Sequence, residues 1–184
     1  MKLAAEKRFA WAITGSGHYL RESLALLQTL QNVDVFLSKA AAEIIKQYGF
    51  QASLDATGHK VYFDKTASSI PVEKFYQGHY HTLIIAPATS NTVAKMAQGF
   101  SDSLVTNLFA QAGKTRVQSI VFACDTAPEL TTEAPREHFV KVYPRAIDLK
   151  NVEILKTFEY TQVVEDMANL AKVIEASVSL HAQG

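Results

Sequence analysis

The chain has 184 residues, of which 48% are hydrophobic, 20% charged and 10% aromatic, a profile that excludes intrinsic disorder and suits one globular domain over residues 1–184. Eighteen Lys plus Arg balance eighteen Asp plus Glu, so no net field draws the protein to phosphate backbones or anionic lipid, and neither nucleic acid nor a membrane is expected as a partner. The single cysteine, Cys124, excludes an intrachain disulfide and a thiolate zinc cage, and a reducing cytoplasm fits best.

In chain order, the first residues break their apolar character with Glu6, Lys7 and Arg8 and read as a leader into a strand rather than a secretory signal. Residues 9–14 form a short apolar run that ends in Gly15, Ser16 and Gly17, and Leu20, Leu24 and Leu27 then repeat at helical spacing. A second strand, 33–37, stops at Ser38 and Lys39, and a helix over 40–48 ends at Gly49. After a polar middle section, residues 82–86 are the most apolar strand, followed by Pro87, Ala88, Thr89, Ser90 and Asn91 and another helix. The longest apolar run, 83–88, is far short of the roughly 20 residues that a bilayer span requires. A fourth strand covers 117–123, residues 152–154 are a candidate fifth, and Val163, Met167, Leu170 and Ile174 form the stripe of a final helix. Strands alternating with helices imply right-handed crossovers and a doubly wound parallel α/β sheet. Residues 124–144, rich in proline and threonine, cannot be a continuous helix and read as an irregular lid or interface loop, or as a plain surface loop.

In open parallel sheets ligands bind outside the carboxyl ends of the strands. Four such ends carry small polar residues: Gly15, Ser16, Gly17 and His18; Ser38 and Lys39; Ala88, Thr89, Ser90 and Asn91; Cys124, Asp125 and Thr126. Hydroxyls, backbone amides and helix N-termini suit a phosphate and an amide-rich ring. The first turn is neither G-x-G-x-x-G, since Leu20 replaces the third glycine, nor a P-loop, and an ordinary strand-to-helix turn is the plain alternative. Ser90 is likewise a candidate helix cap. His79 and His81 have no accompanying carboxylate cluster, so no metal is expected, and no G-x-S-x-G elbow marks a hydrolase.

The segment from Pro87 to Ala112 resembles the superfamily of homo-oligomeric flavin-containing cysteine decarboxylases. The resemblance is carried by Pro87, Ala88, Asn91, Thr92, Ala94, Lys95, Gly99, Asp102 and Leu104, with Thr89 in place of the family's serine. It implies a Rossmann-like, flavodoxin-like fold that binds FMN at the interface of a homo-oligomer built from trimers. Gly15, Ser16, Gly17 and Ser38 would then take the phosphate, and residues 88–91 the ring edge and ribityl chain. The decarboxylating members' histidine before the third strand and their Asn-Met signature after the fourth are both missing, with Glu73 and Cys124-Asp125-Thr126 in those places.

The ending, with Arg136, Arg145 and Asp148, is similar to the redox branch of that superfamily, the archaeoflavoproteins and flavin-dependent dihydromethanopterin reductases. This implies reduction of dihydromethanopterin to tetrahydromethanopterin by hydride transfer from reduced flavin, with electrons from NAD(P)H or ferredoxin. Cys124, Asp125 and Thr126 are the substrate-orienting candidates, and no catalytic residue is assigned. Arg136 or Arg145 is available to an anionic pterin tail, or else pairs with Glu133 or Asp148. A ferredoxin-linked electron carrier and a flavin-dependent decarboxylase or prenyltransferase are the alternatives.

Overall fold

The computed structural model describes residues 7–64, 69–134 and 138–181, and the side chains of 69–71 are not among them. Arg136 lies outside the described residues. Six parallel strands form the sheet: β1 (Arg8–Ile13), β2 (Val33–Leu37), β3 (Lys60–Phe63), β4 (Tyr80–Ala88), β5 (Gln118–Ala123) and β8 (Thr161–Val164). Their spatial order is β3-β2-β1-β4-β5-β8, so the direction of winding reverses between β1 and β4. A crevice opens at the carboxyl side of such a switch point.

Period-two alternation along β1 sets the layers. Phe9, Trp11 and Ile13 face one core, where α1 (Leu20–Gln28), α2 (Lys39–Gln47), α3 (Gln51–Asp55) and α8 (Met167–His181) deliver Leu24, Ile45, Leu54 and Ile174. Ala10 and Ala12 face the other, covered by Phe75 of α4 (Ser69–Tyr76), Met96 of α5 (Ser90–Ala97), Leu108 of α6 (Leu104–Lys114) and Leu155 of α7 (Ala146–Lys156). Strands buried on both faces explain why β2 and β4 are mostly apolar without alternating, with Asp34 the one charged residue inside β2. No helix among the described residues is long and apolar enough to cross a membrane.

Three expectations are corrected. Residues 152–154 lie inside α7, where Asp148, Asn151, Val152 and Leu155 form a buried helical stripe; a three-residue apolar run carries too little period to separate helix from strand. The last strand is instead β8, and it contains Val163, which the sequence places on the final helix. Residues 124–144 are not irregular throughout: β6 (Leu130–Ala134) and β7 (His138–Val142) pair antiparallel, with Leu130 opposite Val142 and Ala134 opposite His138. Their β-branched residues favour that hairpin. The polar middle section also hides β3, a four-residue edge strand with an exposed lysine.

Candidate functional site

Thr14 joins the two loops that part at the switch point. Its hydroxyl donates to the Pro87 carbonyl at 2.8 Å and accepts from the Thr89 amide at 2.8 Å. The turn that follows is glycine for reasons of packing. A Cβ on Gly15 would run into the Cβ of Ala40, and one on Gly17 into the ring and hydroxyl of Tyr48. Both glycines thus let α2 close against the turn. Tyr19 then enters α1 in the left-handed region, at φ 60°, without a side-chain cap. Such a conformation costs a non-glycine residue about 1 kcal/mol and is held by its surroundings, here contacts with His18 and Phe122.

These elements bound a cavity of about 340 Å³. Its floor is Gly15, Ser16, Gly17 and His18; Thr89 and Ser90 form one side, Cys124 and Asp125 another, and the hairpin closes it with Thr132, Glu133, Ala134 and Val142, beside Tyr48. Cys124 is buried, its thiol donating to the Ser16 hydroxyl at 3.3 Å. Burial pushes that thiol up to about 12, helped by the nearby Asp125 carboxylate and opposed by the Ser16 contact, so it stays protonated. Burial likewise lowers His18, outweighing the charges of Asp125 and Glu22, and its imidazole is neutral. The buried Nε2 of His18 has no hydrogen-bond partner among the described residues. Orphaned polar atoms of this kind are uncommon in native interiors.

The structure thus brings together eight of the thirteen residues singled out from sequence: Gly15, Ser16, Gly17, His18, Thr89, Ser90, Cys124 and Asp125. The other five lie off the cavity lining. Ser38 caps α2, its hydroxyl accepting from the Ala41 amide at 3.0 Å, and Lys39 is exposed on the first turn of that helix. Ala88 is fully buried, and its carbonyl accepts from the Cys124 amide at 3.0 Å. Asn91 is exposed on α5 and Thr126 is half-buried past Asp125. One further reading changes, and one open alternative is settled in favour of the ion pair. Thr89, not Ser90, caps α5, accepting from the Thr92 amide, so Ser90 sits one residue inside the helix. Arg145 pairs with Asp148 at 2.8 Å, and Glu133 pairs with Arg21 at 3.1 Å.

Sequence reasoning missed Tyr48 and the hairpin residues. The signal for Tyr48 is its partner: Gly17 is not in the left-handed region, and the aromatic at the end of the adjacent helix fills the place its Cβ would take. For the hairpin the signal is its β-branched residues, Thr131 and Thr132 in one strand and Val140 and Val142 in the other.

Comparison with known proteins bears on what this cavity holds. The family model described as Flavoprotein matches residues 2–179. The chain belongs to the Flavoprotein family. Among solved structures, Burkholderia xenovorans DmrB in complex with FMN, described as a cubic protein cage for redox transfer, is 46% identical and superposes with a TM-score of 0.88, covering 97% of this chain and 98% of that one. An uncharacterised protein of Methanocaldococcus jannaschii is 33% identical over 96% of this chain and 98% of its own length. A dihydromethanopterin reductase (acceptor) of Methanosarcina mazei is 36% identical over 70% of this chain, which spans only 59% of that longer protein.

Part of the motif that identifies this flavoprotein is architectural. Lys95 reaches both carboxylate oxygens of Asp102, at 3.0 and 2.8 Å. Gly99, at φ 77°, stops α5 while the Phe100 amide returns to the Lys95 carbonyl at 2.8 Å, and Ser103 with Thr106 boxes the start of α6. These residues fix the angle between α5 and α6 and so hold Thr89 and Ser90 at the cavity.

Proposed function

We propose that this chain is an FMN-dependent oxidoreductase that reduces dihydromethanopterin to tetrahydromethanopterin. It would draw electrons from NAD(P)H or ferredoxin and work in the cytoplasm as a homo-oligomer built from trimers. The chain binds FMN, in keeping with its family and with the FMN complex of DmrB. The residues present fit that cofactor: glycines with no room for a Cβ, hydroxyls at Ser16, Thr89 and Ser90, the orphaned His18 nitrogen, and a volume in the usual ligand range of roughly 300–1,000 Å³. Gly15, Ser16, Gly17, His18, Thr89 and Ser90 are the proposed contacts, with Ser38, Lys39, Ala88 and Asn91 as outer members of the set. When bound, FMN supplies the two-electron chemistry.

The protein's own groups then bind and orient. The protonated Cys124 thiol fixes the Ser16 hydroxyl, and a thiol so deeply buried is no nucleophile. Neutral His18 offers one donor and one acceptor without a charge. Asp125, which lines the cavity, would accept from the amino and ring N–H groups of a pterin, with Thr126 as the outer candidate. The observation that carries the reading is the convergence of three strand ends on one cavity in a chain 46% identical to DmrB.

The test is anaerobic. The flavin-loaded chain is bleached, one equivalent of dihydromethanopterin is added, and the return of oxidised-flavin absorbance is followed. Rapid return with tetrahydromethanopterin formed is expected. A flavin that stays bleached with the pterin but recovers with a generic acceptor rejects the reductase in favour of an electron carrier, and decarboxylated or prenylated product rejects both.

A further inference from the structure

The β6–β7 hairpin closes the cavity without joining either core. Among the described residues from Asp125 to Ile147 none is buried, and the exposed side include Phe139, Val140 and Tyr143. Apolar packing therefore does not hold the hairpin to the sheet. Among the described residues, two polar contacts from the body of the molecule reach Glu133. Arg21 of α1 donates to the Glu133 carboxylate at 3.1 Å, and the Tyr48 hydroxyl donates to the Glu133 carbonyl at 3.4 Å. Arg21 also lies over the Phe50 ring, at 5.0 Å, and Tyr48 packs on Gly17. One residue of β6 is thus tied to the helix on either side of the glycine turn.

We infer that Glu133 is a positioning residue for FMN: by pinning β6 to Arg21 and Tyr48 it sets the distance between the hairpin wall and the Ser16–Gly17 floor. The neighbours it carries to the cavity are Thr132 and Ala134, with Val142 across the ladder from Leu130. Its carboxylate acts through Arg21 and does not itself need to touch the cofactor. The pair is half exposed, with Arg21 at 52% and Glu133 at 18% side-chain exposure, so its effect is modest and sensitive to salt. The inference rests on FMN being the cofactor.

The test is a fluorescence titration of FMN into the flavin-free full chain at low ionic strength, with the unfolding midpoint measured in parallel. Glu133→Gln is expected to raise the dissociation constant about twofold to fivefold, and Arg21→Met by a similar factor. The double variant should go no further than either single one, because the two changes break the same contact. The exchanged pair, Arg21→Glu with Glu133→Arg, should recover affinity, and high salt should erase the gap between the wild type and Glu133→Gln. Unfolding midpoints should not move, since the hairpin adds nothing to the cores.

Equal affinity in all variants overturns the inference, as do additive losses or a loss that tracks a lowered unfolding midpoint. Tighter binding by Glu133→Gln with weaker binding by Arg21→Met overturns it too, because Glu133 would then act as a bare charge repelling the phosphate. A wild-type chain that takes up no FMN overturns the cofactor assignment along with it, an outcome distinct from variants that match a binding-competent wild type.

Discussion

The two ends of the sheet differ in what surrounds their buried polar groups: a charge network at one, a cavity at the other. At the amino end Asp34, 2% exposed, has its carboxylate beside Arg8 at 3.1 Å and Lys74 at 2.7 Å and accepts from the Tyr80 hydroxyl at 2.7 Å, while Lys74 also donates to Tyr62 at 2.6 Å. Burial alone would raise this carboxyl, but the bonds from Lys74 and Tyr80 and the charges of Lys74 and Arg8 hold it below its usual range. At the carboxyl end His18 has a buried nitrogen without a partner among the described residues, Tyr19 sits in a strained conformation, and the hairpin leans on a half-exposed ion pair. The amino end also has buried atoms without a hydrogen-bond partner among the described residues, Nε of Arg8 and Nδ1 of His79, so an orphaned atom marks a binding site only where, as at His18, glycines, hydroxyls and a cavity come with it.

The sharpest way to break this contrast is at Asp34. Asp34→Ala strands the hydroxyl of Tyr80 and the ammonium of Lys74, and a loss of about 3 kcal/mol in unfolding free energy is expected, read by denaturant titration. FMN affinity of the folded fraction should be unchanged; a drop in affinity at wild-type stability would reverse the roles assigned to the two ends. Gly15→Ala is the counterpart at the carboxyl end. Its Cβ meets Ala40, whose backbone cannot swing away, so about 1–3 kcal/mol of overpacking strain is expected. Here FMN binding should weaken as well, because α2 has to shift away from the cavity floor. Stability lost without any change in FMN binding would place Gly15 with the framework alone.

The same contrast shows what was legible in the sequence. Long-range order was clear, because β1, β2, β4 and β5 are buried on both faces and leave mostly apolar stretches without polar alternation. The cavity floor was legible in part: small residues at a strand end marked Gly15 to His18, whereas Ser38, which read the same way, caps a helix away from the cavity. What escaped was decided by tertiary contact. Edge strands β3 and β8 are four residues long and half covered, and Val152 belongs to a helix only because Asp148 and Asn151 share its buried stripe. Ser90 and Thr89 are equally good caps on paper, and backbone geometry chose between them.

A smaller and pH-dependent effect separates the amino end from the site. His81, half-buried near the start of β4, stacks on His181 of α8 at 4.0 Å between ring centres and meets Phe9 edge-on at 4.2 Å. Burial, then repulsion from His181 and Lys7, lowers it to about 4 from 6.5. Between those values the unfolded chain binds the proton and the folded one does not, so stability is full above pH 6.5 and falls as pH drops toward 4. The Asp34 contribution is instead present above its ordinary value of 3.8 and is lost only below it, so the two windows do not overlap. His81→Asn should reduce the slope of the thermal unfolding midpoint between pH 6.5 and 4, leaving the part that the lowered His18 contributes and the steeper fall below it. A slope unchanged in that variant would assign the window to His18 or another group.

The finest division runs between two adjacent residues of the site itself. Thr89 closes the first turn of α5, accepting from the Thr92 amide, whereas Ser90 lines the cavity from inside the helix and does not serve as its cap. Thr89→Ala should therefore lower unfolding free energy by about 1 kcal/mol, the ordinary worth of a cap. Ser90→Ala should change it by less than about 0.5 kcal/mol, as surface substitutions away from caps do, and should weaken FMN binding without moving the unfolding midpoint. The two effects are small, but they have opposite destinations. If Ser90→Ala lowers stability and spares the cofactor, α5 is capped differently from the geometry described, and the hydroxyls of this strand end belong to the framework.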